Sequence, residues 1–297
     1  MPSEKLSEED IITQGELIYY AYDLSQKFKE LFVVPISDAH YGNPLFSKSH
    51  FMRTLKFLEK PNAYGFLCGD LLESSLRTSK GEIYKQVGSP EEQRDQMIEW
   101  LKPYKKKLLG IVDGNHENRI WNEVGIHISR DIAKSLGIPF RPEGMLLKIS
   151  FGDYNRSTEG RSFVFWAYYT HGYGGARTKS AKAVKVERVA HWIHSDFYCL
   201  SHDHVVNVAP DVYLIADPRT RPEKDKNGET GFTIGRVKAH RKMLIKSNAY
   251  LKWGGYSEFL GFPPVDMSTV LIKLLTPQSK LWDNLPNKPK QAVIVEV

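Results

Sequence analysis

Residues 108–117 read Leu108-Leu109-Gly110-Ile111-Val112-Asp113-Gly114-Asn115-His116-Glu117. The first five form an apolar run of the kind that makes a strand buried on both faces, and the polar Asp-Gly-Asn-His-Glu ends it abruptly. Two earlier stretches have the same form. Leu31 to Ile36 is apolar and runs into Ser37-Asp38-Ala39-His40; Tyr64 to Cys68 runs into Gly69-Asp70-Leu71-Leu72-Glu73. Helical patterns lie between and after them. His50 to Leu58 has helical periodicity. Ser89-Pro90-Glu91-Glu92 is a helix start, with Ser as N-cap and Pro at the first position, and that helix runs to about Leu101. Ile120 to Leu136 reads as one helix closed by Gly137. Short buried strands alternating with helices define an α/β fold.

Past Met145 the pattern shifts towards strands: Leu146–Phe151, Phe163–Thr170, Phe197–Leu200, Val212–Ala216 and Val270–Leu275, interrupted by one helix from about Lys179 to Trp192. A second, more antiparallel sheet is therefore expected. Arg219 to Thr230 is polar and reads as a mobile loop. Glu8 to Phe28 reads as a leading helix. No linker divides the chain, so the expectation is a helical extension over residues 1–30 on a single domain over 31–297.

The 297 residues carry 41 Lys plus Arg against 35 Asp plus Glu, a net charge of +6 that permits an anionic ligand without establishing one. No apolar run is long enough to span a membrane, and the polar N-terminus is no signal peptide. The two cysteines, Cys68 and Cys199, are too few for a disulfide framework and read as reduced thiols, which predicts a cytoplasmic protein.

The chemistry lies in the polar residues at the strand ends. After Phe163–Thr170 comes His171-Gly172, and after Phe197–Leu200 comes Ser201-His202-Asp203-His204. Five strands thus end in Asp, Asn or His, and ligands of open α/β sheets gather at the carboxyl ends of strands. Imidazole, carboxylate and amide oxygen, with no thiolate, suit manganese, iron, zinc or nickel. So many donors exceed the needs of one ion and match a two-metal site with a bridging carboxylate. Each motif alone is weak, since an Asp-x-His is more often a surface turn. Five in one order, each after a strand, are specific.

This set resembles the calcineurin-like metallophosphoesterases, whose signature is D-x-H, G-D-x-x-D, G-N-H-[DE], a lone H, then G-H-x-H. The resemblance spans about Asp38 to His204. It implies a two-sheet β-sandwich flanked by helices. It also implies two divalent ions, manganese first among them. Asp38, His40 and His204 would hold one, Asn115, His171 and His202 the other, and Asp70 would bridge. His116 would face the scissile phosphate as a general acid. Glu73 stands where the family has an Asp whose carboxylate orients that imidazole. Ser201 replaces the glycine of G-H-x-H. No Arg-Gly comes after the second motif, which argues against a phosphoprotein phosphatase. The stretches Arg77 to Gln93 and Lys252-Trp253-Gly254-Gly255-Tyr256 are similar to phage-encoded members often labelled nucleases.

The expected function is a dinuclear-metal phosphodiesterase or nuclease acting on nucleic acid or nucleotides. Its rivals are a phosphomonoesterase or nucleotide pyrophosphatase on the same site, and a non-catalytic binding module, which would have lost ligands that this chain retains. Arg119 and Arg177 are candidates to bind substrate phosphate, each weighed evenly against a plain surface arginine. Lys179, Lys182, Lys185 and Arg188 recur at threes on one helix and read as a solvated face more often than a polyanion rim. His50, His127, His191, His194 and His240 read as structural or exposed. A homodimer is an open expectation, with the leading helix and Ala292–Val297 as contact elements.

Overall fold

In a computed structural model, residues 18–79, 83–153, 162–176, 178–217, 226–228, 234–259, 261–264, 266–286 and 292–297 are described. They build two six-stranded sheets packed face to face with helices outside. The first sheet contains β2 (Glu30–Ile36), β3 (Ala63–Leu67), β4 (Leu108–Val112), β5 (Phe140–Arg141), β11 (Leu271–Leu275) and β12 (Val293–Glu296), in the order β12-β11-β2-β3-β4-β5. β2, β3, β4 and β5 run parallel, as the alternation with helices requires. The second sheet contains β1 (Tyr19–Asp23), β6 (Gly144–Phe151), β7 (Phe163–Thr170), β8 (Phe197–Leu200), β9 (Asn207–Ala216) and β10 (Val237–Lys246), in the order β1-β6-β7-β8-β10-β9.

Three apolar clusters define the layers. Leu31, Val33, Phe66, Cys68 and Leu109 of the first sheet face Leu147, Ile149, Phe165, Tyr169, Phe197 and Cys199 of the second, forming the sandwich core. Val34, Ile36, Leu67 and Ile111 point the other way, against α1 (Lys48–Phe57), α2 (Pro90–Leu101) and α4 (Ile128–Leu136). That double burial explains why β2, β3 and β4 are continuously apolar rather than alternating. On the far side α5 (Lys179–Trp192) covers Tyr198, Leu200 and Leu244 with Val186, Val189 and Ala190. The architecture is an αββα sandwich.

Three expectations need correction, and one strand was not foreseen. Tyr19–Asp23 is an edge strand paired in parallel with β6, not part of a helix; residues 1–17 lie outside the described residues. Its side chains alternate between exposed and half-buried, a period of two that Tyr20 and Tyr22 at the core edge satisfy better than a helical stripe. The span Ile120–Leu136 is two helices, α3 (Asn115–Val124) and α4, because Gly125 adopts φ 70° and ends the first. The second sheet is mixed: β1 pairs with β6, β7 with β8 and β8 with β10 in parallel. And β10, whose first half is the basic stretch Lys238 to Lys242, is a strand completed by the buried Met243, Leu244 and Ile245. The polar segment 219–230 falls almost wholly outside the described residues. Among the described residues no helix is long and apolar enough to cross a membrane.

Candidate metal centre

The five motif-bearing strands are neighbours: β2, β3 and β4 in one sheet, β7 and β8 in the other. Parallel pairing puts their carboxyl ends side by side on one rim of the sandwich. Backbone bonds lock the rim. Asp38 N donates to Gly69 O at 3.0 Å, His40 N to Asp70 O at 2.9 Å, and Ser201 N to His171 O at 3.1 Å. A buried serine chain, Ser37 Oγ to Ser247 Oγ to Ser201 Oγ with 2.8 Å at each step, ties the two sheets together. Ser201 has no positive φ, so its backbone accommodates a Cβ without strain.

The loops beyond the strands are strained. The non-glycine residues with positive φ among those described are Asp38, His40, Asp70, Ser74, His202 and His204, each between 43° and 71°. Left-handed backbone is unfavourable for such residues and persists where surrounding contacts impose it, commonly at functional sites. The glycines of the second and third motifs make a close crossing. A Cβ on Gly114 would sit 2.1 Å from Asp70 Oδ1, and one on Gly69 would sit 2.5 Å from Gly114 N. Glu117, fully buried, accepts the N–H groups of Asp70, Leu71, Leu72 and Gly114 at 2.8–3.1 Å and so holds the second motif against the third. Burial and the nearby Asp70 and Asp113 carboxylates push its pKa up to about 7. Gln93 of α2 holds the end of the second motif by accepting Ser74 N–H at 2.9 Å.

The expected ligands fall into two groups. Asp38, His40 and His204 bring ligand atoms together, and so do Asp70, His171 and His202. In the first group His204 Nε2 lies 3.2 Å from both Asp38 Oδ1 and His40 Nε2. In the second, His171 Nε2 lies 3.1 Å from Asp70 Oδ2 and from Asn115 Oδ1, and His202 Nδ1 lies 2.7 Å from Asn115 Oδ1. Asp70 Oδ2 is also 3.8 Å from His40 Nε2, which puts this carboxylate between the groups.

The donor chemistry fits cations. His171 Nδ1 donates to Cys68 O at 2.8 Å and His202 Nε2 donates to Gly174 O at 2.6 Å. These outer bonds fix which nitrogen faces inward, so each inner nitrogen presents a lone pair to a cation that displaces its proton. The lone pairs of His171 Nε2 and His202 Nδ1, 3.2 Å apart, therefore face each other and the oxygens of Asn115 and Asp70. Acceptors arranged in this way need a proton or a cation among them. Electrostatics agree. Burial opposes charge on Asp38, but His204 and His171 outweigh it and hold its pKa down to about 2. Burial likewise opposes charge on His40 and His171, yet Glu73 and Asp70 hold the first up at about 9, and Asp70 and Asp38 hold the second up at about 10. The site thus keeps its carboxylates ionised and draws positive charge.

His116 comes directly after Asn115 on the first turn of α3. Its N–H donates to Asp70 Oδ1 at 2.8 Å, and its Nδ1 donates to the main-chain carbonyl of Glu73 at 2.6 Å. The expected carboxylate–imidazole pairing is absent. The longer Glu73 side chain passes His116 and faces His40 Nδ1 at 3.4 Å, steadied by Asn43 Nδ2 at 3.2 Å and Ser75 Oγ at 3.1 Å. A third cluster, His40 with Glu73 and His116, reads as this hydrogen-bonding network, because His40 already turns Nε2 to the first group. Burial, with His40 and Arg119 nearby, lowers the His116 pKa to about 4.

Arg119 lies one turn beyond His116 on α3, and its Nη1 donates to Ser79 Oγ at 2.8 Å. Arg177 lies outside the described residues. The basic row on α5 is solvated only in part, at the exposed Lys179 and Arg188. Lys182 and Lys185 are buried and reach the loop between His202 and His204. A sequence signal existed: both share a helical face with Val186, Val189 and Ala190. Their partner Asp203 carried no signal beyond lying within the motif, and Lys246, which meets the same carboxylate, carried none.

No family model matches the chain, and no curated protein matches it. Among solved structures, a conserved uncharacterized protein from Streptococcus pneumoniae TIGR4, described as a predicted phosphoesterase, aligns over 83% of this chain and 84% of its own, with 11% identity and a TM-score of 0.35.

Proposed function

We propose that this chain is a metal-dependent phosphoesterase, acting on phosphodiester bonds of nucleic acid or nucleotides. The observation that supports it is the convergence of inward lone pairs from His171 and His202, whose outer nitrogens are both committed to backbone carbonyls. Asp38, His40 and His204 would hold one divalent cation, Asn115, His171 and His202 the other, with Asp70 shared. When bound, two such ions supply an activated water and the positive charge that holds phosphoryl oxygens; manganese is the first candidate, with iron, zinc or nickel as alternatives.

The chain's own groups do the rest. Asp70 orients His116 by accepting its backbone N–H, and the Glu73 carbonyl fixes its ring. With Nδ1 committed to that carbonyl, proton exchange with the ester's leaving oxygen falls to Nε2. Arg119, whose Nη1 now donates to Ser79 Oγ, would meet a non-bridging oxygen once released from it. The exposed rings of Tyr173, Trp121 and Trp253 are candidates for base stacking.

Elemental analysis of the purified chain, paired with hydrolysis of bis- and mono-nitrophenyl phosphate and of oligonucleotides in manganese, tests the reading. Two bound ions and a preference for diesters are expected. A strong monoester preference would replace the diester reading with a phosphomonoesterase. A chain that neither binds nor responds to manganese is a binding module.

A further inference from the structure

The loop that carries His202 and His204 rests on a buried charge cluster that the chemistry above does not use. Asp203, between the two histidines, turns inward. Its Oδ1 is 2.6 Å from Lys185 Nζ and its Oδ2 is 2.5 Å from Lys246 Nζ. Its carbonyl accepts from Lys182 Nζ at 3.0 Å, and Lys246 also donates to Ser201 O at 2.8 Å. Lys246 is completely buried, and Lys182 and Lys185 are 4% and 8% exposed. Three lysines therefore surround one aspartate, two at its carboxylate and one at its carbonyl. Buried ions with surplus charge contribute poorly to stability, and their best-attested use is to specify geometry.

The geometry in question is that of a ligand. Lys185 Nζ lies 3.4 Å from Gly174 O, the same carbonyl that accepts His202 Nε2–H at 2.6 Å. One ammonium thus spans the loop after β7 and the loop after β8. His202 and His204 hold φ of 71° and 53°, left-handed conformations that persist only where their surroundings impose them.

We propose that Lys185, acting through the Gly174 carbonyl and the Asp203 carboxylate, is a positioning residue that fixes the His202 ring for the second cation. This rests on the two-cation reading above and deepens it. Lys185 touches no ligand atom. It anchors the acceptor that dictates which nitrogen of His202 points inward. Only His202 donates to the Gly174 carbonyl that Lys185 braces, while His204 Nε2 sits with Asp38 and His40, so the first cation depends on Lys185 less.

Lys185→Met tests this. The substitution removes surplus positive charge and leaves Asp203 paired with Lys246, so the fold is expected to survive; Lys185→Ala is read in the same way should the methionine variant fail to fold. Metal-free chains are titrated with manganese and monitored by metal content, thermal melting and electron paramagnetic resonance. Wild type should take up two ions and show the spectrum of a spin-coupled pair. Lys185→Met should bind the first ion unchanged and the second about 10–100-fold more weakly, with isolated-ion lines near one equivalent, the pattern also expected of His202→Ala. Two ions bound with unchanged affinity would overturn the proposal. So would equal weakening of both ions with a fall in Tm, which would make the cluster a support of the fold. A wild-type chain that takes up no manganese fails at an earlier step, the two-cation reading.

Discussion

Glu73 serves two imidazoles with two different groups: its carbonyl accepts Nδ1–H of His116 at 2.6 Å, and its carboxylate faces Nδ1 of His40 at 3.4 Å. Burial opposes ionisation, but His40, His116 and Asn43 hold the carboxyl pKa down to about 2, so the side chain is anionic at neutral pH. A backbone carbonyl cannot be deleted by side-chain substitution. Glu73→Gln should therefore spare His116 and weaken the ligand His40. Manganese affinity is expected to fall about tenfold, while kcat on a bis-nitrophenyl diester at saturating manganese stays near the wild-type value. A large loss of kcat with metal fully retained would return the carboxylate to His116.

His116→Ala and Asp70→Ala should separate chemistry from binding. His116 contributes no atom to the two ligand groups that hold Asp38 and Asp70, so its alanine variant should keep both ions and lose about 10²–10⁴-fold in kcat. Asp70 stands between the groups, and its alanine variant should lose metal. Metal content and turnover measured on the same samples decide; full turnover by His116→Ala would remove its assigned role.

Gly114→Ala probes the crossing of the second and third motifs. The added Cβ would sit 2.1 Å from Asp70 Oδ1 and 2.2 Å from Asp70 N. Neither atom can yield without moving the shared carboxylate. Overpacking of this kind costs about 1–3 kcal/mol. Chemical denaturation should register that loss together with weakened manganese binding. A variant with wild-type affinity would mean that Asp70 has slack the contacts do not reveal.

Asp196, between α5 and β8, gives a pH prediction away from the metal centre. Its Oδ2 accepts Trp166 N–H at 2.7 Å and its Oδ1 is 3.7 Å from His240 Nε2. Burial raises its pKa, and burial also lowers that of His240, so at neutral pH the carboxylate has no charged partner in this histidine. A carboxyl with a raised folded pKa contributes stability below its unfolded pKa and loses it as pH rises through the folded value. Asp196→Asn should accordingly melt about 2 °C above wild type at pH 7. The gap should close as pH falls towards 4. A difference constant across that range would assign the effect to the amide rather than to charge.

The strands with the clearest apolar runs were legible because burial on both faces leaves little choice of residue. β2, β3, β4, β7 and β8 and the donors after them needed no coordinates. β1 was misread because its alternating pattern sits in a stretch where Ile18 with Tyr22 and Leu17 with Leu24 also satisfy a helical spacing. β10 was hidden by its basic first half: Lys242 is buried yet reaches the carbonyl of Ala190, which composition does not announce. The inward lysines of α5 were misread for the same reason, since a lysine is nearly always solvated unless a partner is waiting.

Residue order alone established an α/β chain whose strands end in hard and borderline ligands, because strand burial and ligand chemistry are properties of residue type and local spacing. The assembled fold settled which nitrogen of each histidine faces inward, which part of Glu73 meets His116, and where Lys185 and Lys246 find their carboxylate. Those are relations between atoms from strands and helices far apart in the chain, set by sheet order and by the close approach of Gly69 to Gly114, and no local pattern encodes them.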